Sequence, residues 1–273
     1  MSLASRYHST VVRSADEING CGGSLKGLAS GLVQDAMAAP ELLRSFMAMQ
    51  FSDLMSFELG GITFGTSTGL QPTRELIIIP GFAASARHLS TLMRHIGKRA
   101  VPHPQLAERK ITATVLNDAT ILAEDIGKKE RETDLCGHSR GGLVVLCALQ
   151  MLQNMGCDGL ISQAFLLSPT STGVRPEIAL WAKHLGIDSV QDLCPDSKAT
   201  QFWQSLTPKN RAKISIISQN GGDGFTAPET SFVPGATMFV TPPCGHQESV
   251  RDPTTDYFKL VRDLVKHPII ITN

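Results

Sequence analysis

The chain is poor in aromatic residues, which make up 5% of its 273 positions and include only two tryptophans and two tyrosines. It also carries no excess charge, since 25 Lys and Arg are balanced by 25 Asp and Glu. A nucleic-acid binder normally leaves a basic surplus on one face, and that class is set aside. No stretch approaches the roughly 18 consecutive apolar residues of a membrane-spanning helix. The start, MSLASRYHSTVVRSADE, lacks the charged opening and continuous apolar core of a secretory signal, so the cytoplasm is the expected location. The six cysteines, at 21, 136, 147, 157, 194 and 244, form neither C-x-x-C nor any metal-ligand spacing. Reduced thiols and no metal are expected. No internal repeat or low-complexity tract is present.

What is present is a chain with 42% hydrophobic and 18% charged residues, enough apolar material for one large core. Residues 1 to about 20 are polar and aperiodic and read as a loose leader. From Ser24 to Met55 apolar residues recur at helical spacing on either side of Pro40, which predicts two amphipathic helices. Their apolar faces suit packing on the chain's own core, joining two subunits into a homo-oligomer, or covering a ligand entrance. Residues 1–55 are therefore expected to form a leader and helical extension, and 56–273 the main domain.

Beyond Phe57, short β-rich runs alternate with helical stretches, the pattern of an α/β fold with a mostly parallel sheet flanked by helices. Strands are expected at Phe57–Phe64, Glu75–Ile79, Thr112–Leu116, Thr133–Cys136, Gln163–Leu167, Lys213–Ser218 and Ala236–Thr241. Helices are expected near Ser85–Lys98, Ala119–Lys129, Arg140–Asn154 and Thr255–Lys266. The stretch from about 170 to 210 is longer than a crossover needs and reads as a helical cap insertion. Both tryptophans, Trp181 and Trp203, fall within it beside Phe202. These three side chains suit the lining of a substrate pocket, or the interior of the insertion itself.

Gly137-His138-Ser139-Arg140-Gly141 matches G-x-S-x-G, in which small residues let a strand turn sharply into a helix and hold a serine out at the bend. The pentapeptide alone is weak, arising by chance in roughly one such chain in six. Gly65-Thr66-Ser67-Thr68-Gly69 is a second match. Only Ser139 has an apolar strand before it and an amphipathic helix after it, so Ser139 is the expected nucleophile.

A serine hydroxyl needs a base to take its proton, and the base needs a carboxylate to hold its tautomer. Among the eight histidines, His246 follows the last expected strand in Cys244-Gly245-His246 and precedes the final helix. His138, inside the motif, is expected to pack beside the turn. For the acid, the strand Lys213–Ser218 runs into Gln219-Asn220-Gly221-Gly222-Asp223-Gly224, where Asp223 is the one carboxylate. Its flanking glycines equally suit an ordinary turn aspartate. The oxyanion of a tetrahedral intermediate needs backbone N–H donors. Arg140 supplies one at a helix N-terminus. Phe82, in the loop after Leu76–Ile79, is the expected second, although Pro80-Gly81 is also a plain turn signal.

The blocks IIIPGFAAS, LCGHSRGGLVV, SQNGGDGFTAP and CGHQESV carry serine, aspartate and histidine in that chain order. In this the chain resembles the α/β-hydrolase superfamily, in particular its lipase and esterase branch, over roughly residues 57 to 267. The resemblance implies carboxylic-ester hydrolysis through an acyl-enzyme on Ser139, on a small-molecule or lipid-like acyl substrate, with no metal or organic cofactor. Two departures stand out. Many lipases have His-Gly where this chain has Pro80-Gly81, and residues 1–55 carry no family motif. The same triad also serves thioesterases, acyltransferases and amidases, and a non-catalytic ligand-binding homologue would keep the fold.

Overall fold

The computed structural model describes residues 10–12, 74–82, 84, 86–107, 113–175, 178–179 and 188–266. The helices expected over Ser24–Met55, the strand expected over Phe57–Phe64, the second motif around Ser67, and Trp181 lie outside the described residues. Seven strands form one sheet among the described residues: β1 (Thr10–Val12), β2 (Glu75–Ile79), β3 (Ala100–Pro102), β4 (Thr133–His138), β5 (Ile161–Leu167), β6 (Ile214–Gln219) and β7 (Thr237–Thr241). Their spatial order is β1-β7-β6-β5-β4-β2-β3, with β2 to β7 parallel and β1 antiparallel on β7.

The sheet is covered on both faces, and the apolar side chains of its central strands enter one core on each side. Along β2 the side chains alternate. Leu76 and Ile78 join one core with α1 (Ser90–Ile96) and the C-terminal helix Asp256–Lys266, while Ile77 and Ile79 join the other with α2 (Val115–Lys129) and α3 (Arg140–Asn154). The chain leaves β2 toward one face and β4 toward the opposite face. Adjacent parallel strands whose connections diverge in this way open a crevice at their C-terminal ends, the usual place for a ligand in such sheets.

Two expectations are corrected. The leader is not loose throughout: Thr10–Val12 pairs with β7, with Thr10 opposite Val240 and Val12 opposite Met238. Three β-branched residues suit a strand, and they cover what would otherwise be a bare sheet edge. No strand forms over residues 113–116, the described part of the strand expected at Thr112–Leu116. Thr114 instead caps α2, its hydroxyl accepting the Asn117 N–H at 3.3 Å, and Val115 and Leu116 open that helix. The strand in this part of the chain is β3, three residues long at the sheet edge, where its proline is tolerated.

The 170–210 stretch divides in two. Val174, Ala179, Val190, Leu193 and Cys194 form a small apolar cluster of their own, flanked by α4 (Asp188–Gln191). Beyond it, α5 (Lys198–Phe202), the short 3-10 turn Trp203–Ser205 and α6 (Pro208–Arg211) follow, and Ala199, Trp203 and Leu206 enter the main core against α3. Among the described residues Cys136, Cys147 and Cys194 are buried and Cys157 and Cys244 half-buried, and no disulfide joins them. Among the described residues no helix is long and apolar enough to cross a membrane.

Candidate active site

Ser139 lies at the junction of β4 and α3 with φ 55° and ψ −125°, a left-handed backbone that a residue with a side chain rarely adopts. The turn is forced by close packing. A Cβ on Gly137 would stand 2.4 Å from the Gly141 carbonyl oxygen, and one on Gly141 would stand 2.4 Å from the Ile79 carbonyl oxygen. Helix α3 therefore begins flush against the end of β2, and the serine is pushed out, half-buried, at the C-terminal rim.

Asp223 and His246 reach the same rim from the ends of β6 and β7. Asp223 is buried, and all its bonds serve to hold the carboxylate. Oδ1 accepts the Phe225 N–H at 3.1 Å and the Thr226 N–H at 2.9 Å, and Oδ2 accepts the Thr226 hydroxyl at 3.1 Å. Oδ2 also lies 2.6 Å from His246 Nδ1. A carboxylate only accepts, so Nδ1 carries the proton and Nε2 keeps its lone pair, the tautomer a general base requires. Burial alone would raise the Asp223 carboxyl. Attraction to a charged His246 imidazole, the hydrogen bond His246 donates and the Thr226 and Phe225 N–H groups outweigh burial and hold it down at about 2. The glycine-rich loop carrying Asp223 is braced from outside, since the Arg175 guanidinium donates to the Gly221 carbonyl.

The loop carrying His246 has its own fastenings. Gln219 Oε1 accepts the Cys244 N–H at 2.8 Å, Glu248 accepts the Gly245 N–H at 3.1 Å, and the Ser249 hydroxyl donates to the His246 carbonyl at 2.7 Å. The His246 ring lies between those of Phe225 and His138, at centroid separations of 5.0 and 4.8 Å. Because His138 directly precedes Ser139, the tilted ring contact brings the Ser139 turn and the His246 ring side by side. Among the described residues no hydrogen bond joins the Ser139 hydroxyl to His246 in this structure, and such bonds are often long without substrate.

The two residues expected to supply oxyanion donors flank the same turn. Arg140 is the first residue of α3, so its N–H has no intrahelical acceptor. Its side chain turns away, donating to Asp118 at 2.8 Å and to the Ala113 carbonyl. A Cβ on Gly81 would meet Ser139 Cβ at 3.0 Å, so the loop bearing Phe82 runs directly over the serine. The Phe82 ring is held by the small cluster of Val174, Ala179 and Leu193. Trp203 and Phe202, expected as pocket residues, are placed in the core instead. Trp203 is 2% exposed, with its indole N–H donating to the Ser171 carbonyl at 2.8 Å, and Phe202 packs against the same core. Thr226 and Ser249 carry no motif of their own in the sequence. Each follows its partner by three residues, the spacing at which a side-chain hydroxyl closes a local turn, and that was the available signal.

No protein-family model matches the chain, and no curated protein matches its sequence. Solved structures do resemble it. The mature lipase BlEst2 of Bacillus licheniformis has a TM-score of 0.54 at 16% identity, over 70% of this chain and 91% of that one. The carboxylesterase CesB (YbfK) of Bacillus subtilis has a TM-score of 0.50 at 14% identity, over 83% and 99%. The metagenomic carboxyl esterase MGS0156 has a TM-score of 0.53 at 12% identity, over 78% and 80%. At these identities the likeness is one of fold.

Proposed function

We propose that this chain, which has the α/β-hydrolase fold, is a serine hydrolase that cleaves carboxylic esters through an acyl-enzyme on Ser139. The observation that carries the reading is the buried Asp223–His246 pair at 2.6 Å beside a serine in a left-handed turn. Substrate enters at the C-terminal rim of β4. The Ser139 hydroxyl attacks the ester carbonyl carbon and its proton passes to His246 Nε2, while Asp223 stabilises the imidazolium that forms. The carbonyl oxygen becomes an oxyanion held by the Arg140 and Phe82 N–H groups. The intermediate collapses, the carbon–oxygen bond to the alcohol breaks, and His246 returns the proton to the departing oxygen. Water then attacks the acyl-enzyme, giving its proton to His246, and the acid leaves as Ser139 is reprotonated.

The lipases and esterases of like fold support the ester as substrate, and the apolar cluster behind Phe82 supports an apolar acyl group. The test is hydrolysis of p-nitrophenyl esters of increasing chain length by wild type and Ser139→Ala, with acyl-thioesters and anilides in parallel. Loss of about three or more orders of magnitude in kcat for a folded Ser139→Ala is expected. Equal rates for the two proteins would contradict the proposal. Preference for thioester or anilide would transfer the triad to that leaving group.

A further inference from the structure

His138 belongs to the nucleophile strand, yet its ring serves two other parts of the site. Its Nε2 lies 3.3 Å from the His246 carbonyl oxygen. That oxygen can only accept, so the proton resides on Nε2 and the lone pair on Nδ1. The ring faces the His246 imidazole at 4.8 Å between centroids, tilted by 38°. Its Nδ1 is buried with no partner among the described residues, on the side toward Gly81, where a Cβ would stand 3.3 Å away. One side chain thus contacts the main chain of the base, the plane of its imidazole, and the loop that crosses the serine.

We infer that His138 is a positioning residue for the reaction: its Nε2–H fixes the main chain of the loop that carries His246, and through it the His246 imidazole beside the Ser139 turn. The inference rests on the hydrolase reading of the same site and adds to it a fourth side chain. Burial first, and the neighbouring His246 next, push the His138 pKa down to about 3, so the ring is neutral when the imidazolium forms beside it. The His246 carbonyl has a second donor in the Ser249 hydroxyl. Removing the His138 donor therefore does not orphan that oxygen, and the consequence is a shift of the base and not a general loss of the fold.

The experiment compares His138→Phe, which keeps a flat ring without the donor, with His138→Gln, whose amide returns an N–H toward the Nε2 position. Two quantities are read: kcat and KM for p-nitrophenyl butyrate, and the far-downfield proton resonance of the His246 Nδ1–H held by Asp223. His138→Phe should lower kcat about 10- to 100-fold with little change in KM and displace or broaden the resonance. His138→Gln should restore both. Wild-type kcat with an unchanged resonance in His138→Phe overturns the inference. An equal kcat loss in both variants with the resonance unmoved also overturns it, since that is the mark of packing alone. If His138→Phe does not fold, His138→Asn replaces it, with its donor at the wrong end of the ring site and the same two readings. The resonance needs no turnover. A wild type that hydrolyses no ester would end the hydrolase reading while leaving the positioning claim to be decided by the proton signal.

Discussion

Asp223 shows how four hydrogen bonds fix a turn carboxylate against an imidazole. Two of them come from the backbone of its own turn and one from Thr226, so the fourth, to His246, is made by a carboxylate already held in place. Asp223→Asn keeps the shape but offers an amide to Nδ1, which favours the wrong imidazole tautomer. A fall in kcat of roughly 10³- to 10⁴-fold with an unchanged circular dichroism spectrum is expected. His138 and Asp223 also set the acid stability. The folded His138 holds no proton until about pH 3, against an ordinary value of 6.5, so the unfolded chain binds the extra proton between those values. Asp223 behaves alike between 3.8 and about 2. Both contributions are complete at neutral pH and are lost as pH falls through these windows. Urea midpoints measured from pH 7 to pH 4 should therefore fall, and His138→Phe should flatten the dependence.

The elements that build the site are the strand ends and the first turn of α3. Their sequence carries plain signals where the geometry is steric, and Gly137, Gly141 and the apolar strand before Ser139 mark the turn because a side chain at either glycine would strike backbone. Gly141→Ala should cost about 3 kcal/mol or more, as overpacking against backbone does, visible as a large drop in melting temperature. Gly159→Ala, with nothing within 4 Å of its added carbon, is the control and should melt like wild type. The legible elements were the long ones, and α3 was expected with the bounds it has. β3 escaped notice because three edge residues, one of them proline, have no periodicity to detect. Thr112–Leu116 looked like a strand because β-branched residues also serve as caps and helix openings, and only the Thr114 hydroxyl on Asn117 separates the two uses.

At the scale of the whole molecule, the order of strands explains why residues more than a hundred positions apart meet. Ser139 ends β4, Asp223 follows β6 and His246 follows β7, and all three strands are parallel, so their C-terminal ends share one rim. Chain order and strand type make the shared rim of the three strand ends legible in the sequence. The fate of the 170–210 stretch was not legible, because an apolar residue beside a site and one inside a core have the same composition. Trp203, with its buried N–H bonded to Ser171, belongs to the core.

The measurement that bears most directly on the central claim is reaction of the folded protein with a fluorophosphonate, followed by peptide mass mapping. One adduct, on Ser139, which His246→Ala abolishes, is the expected result. No adduct on folded protein, or an adduct on another serine such as Ser67, would contradict the account.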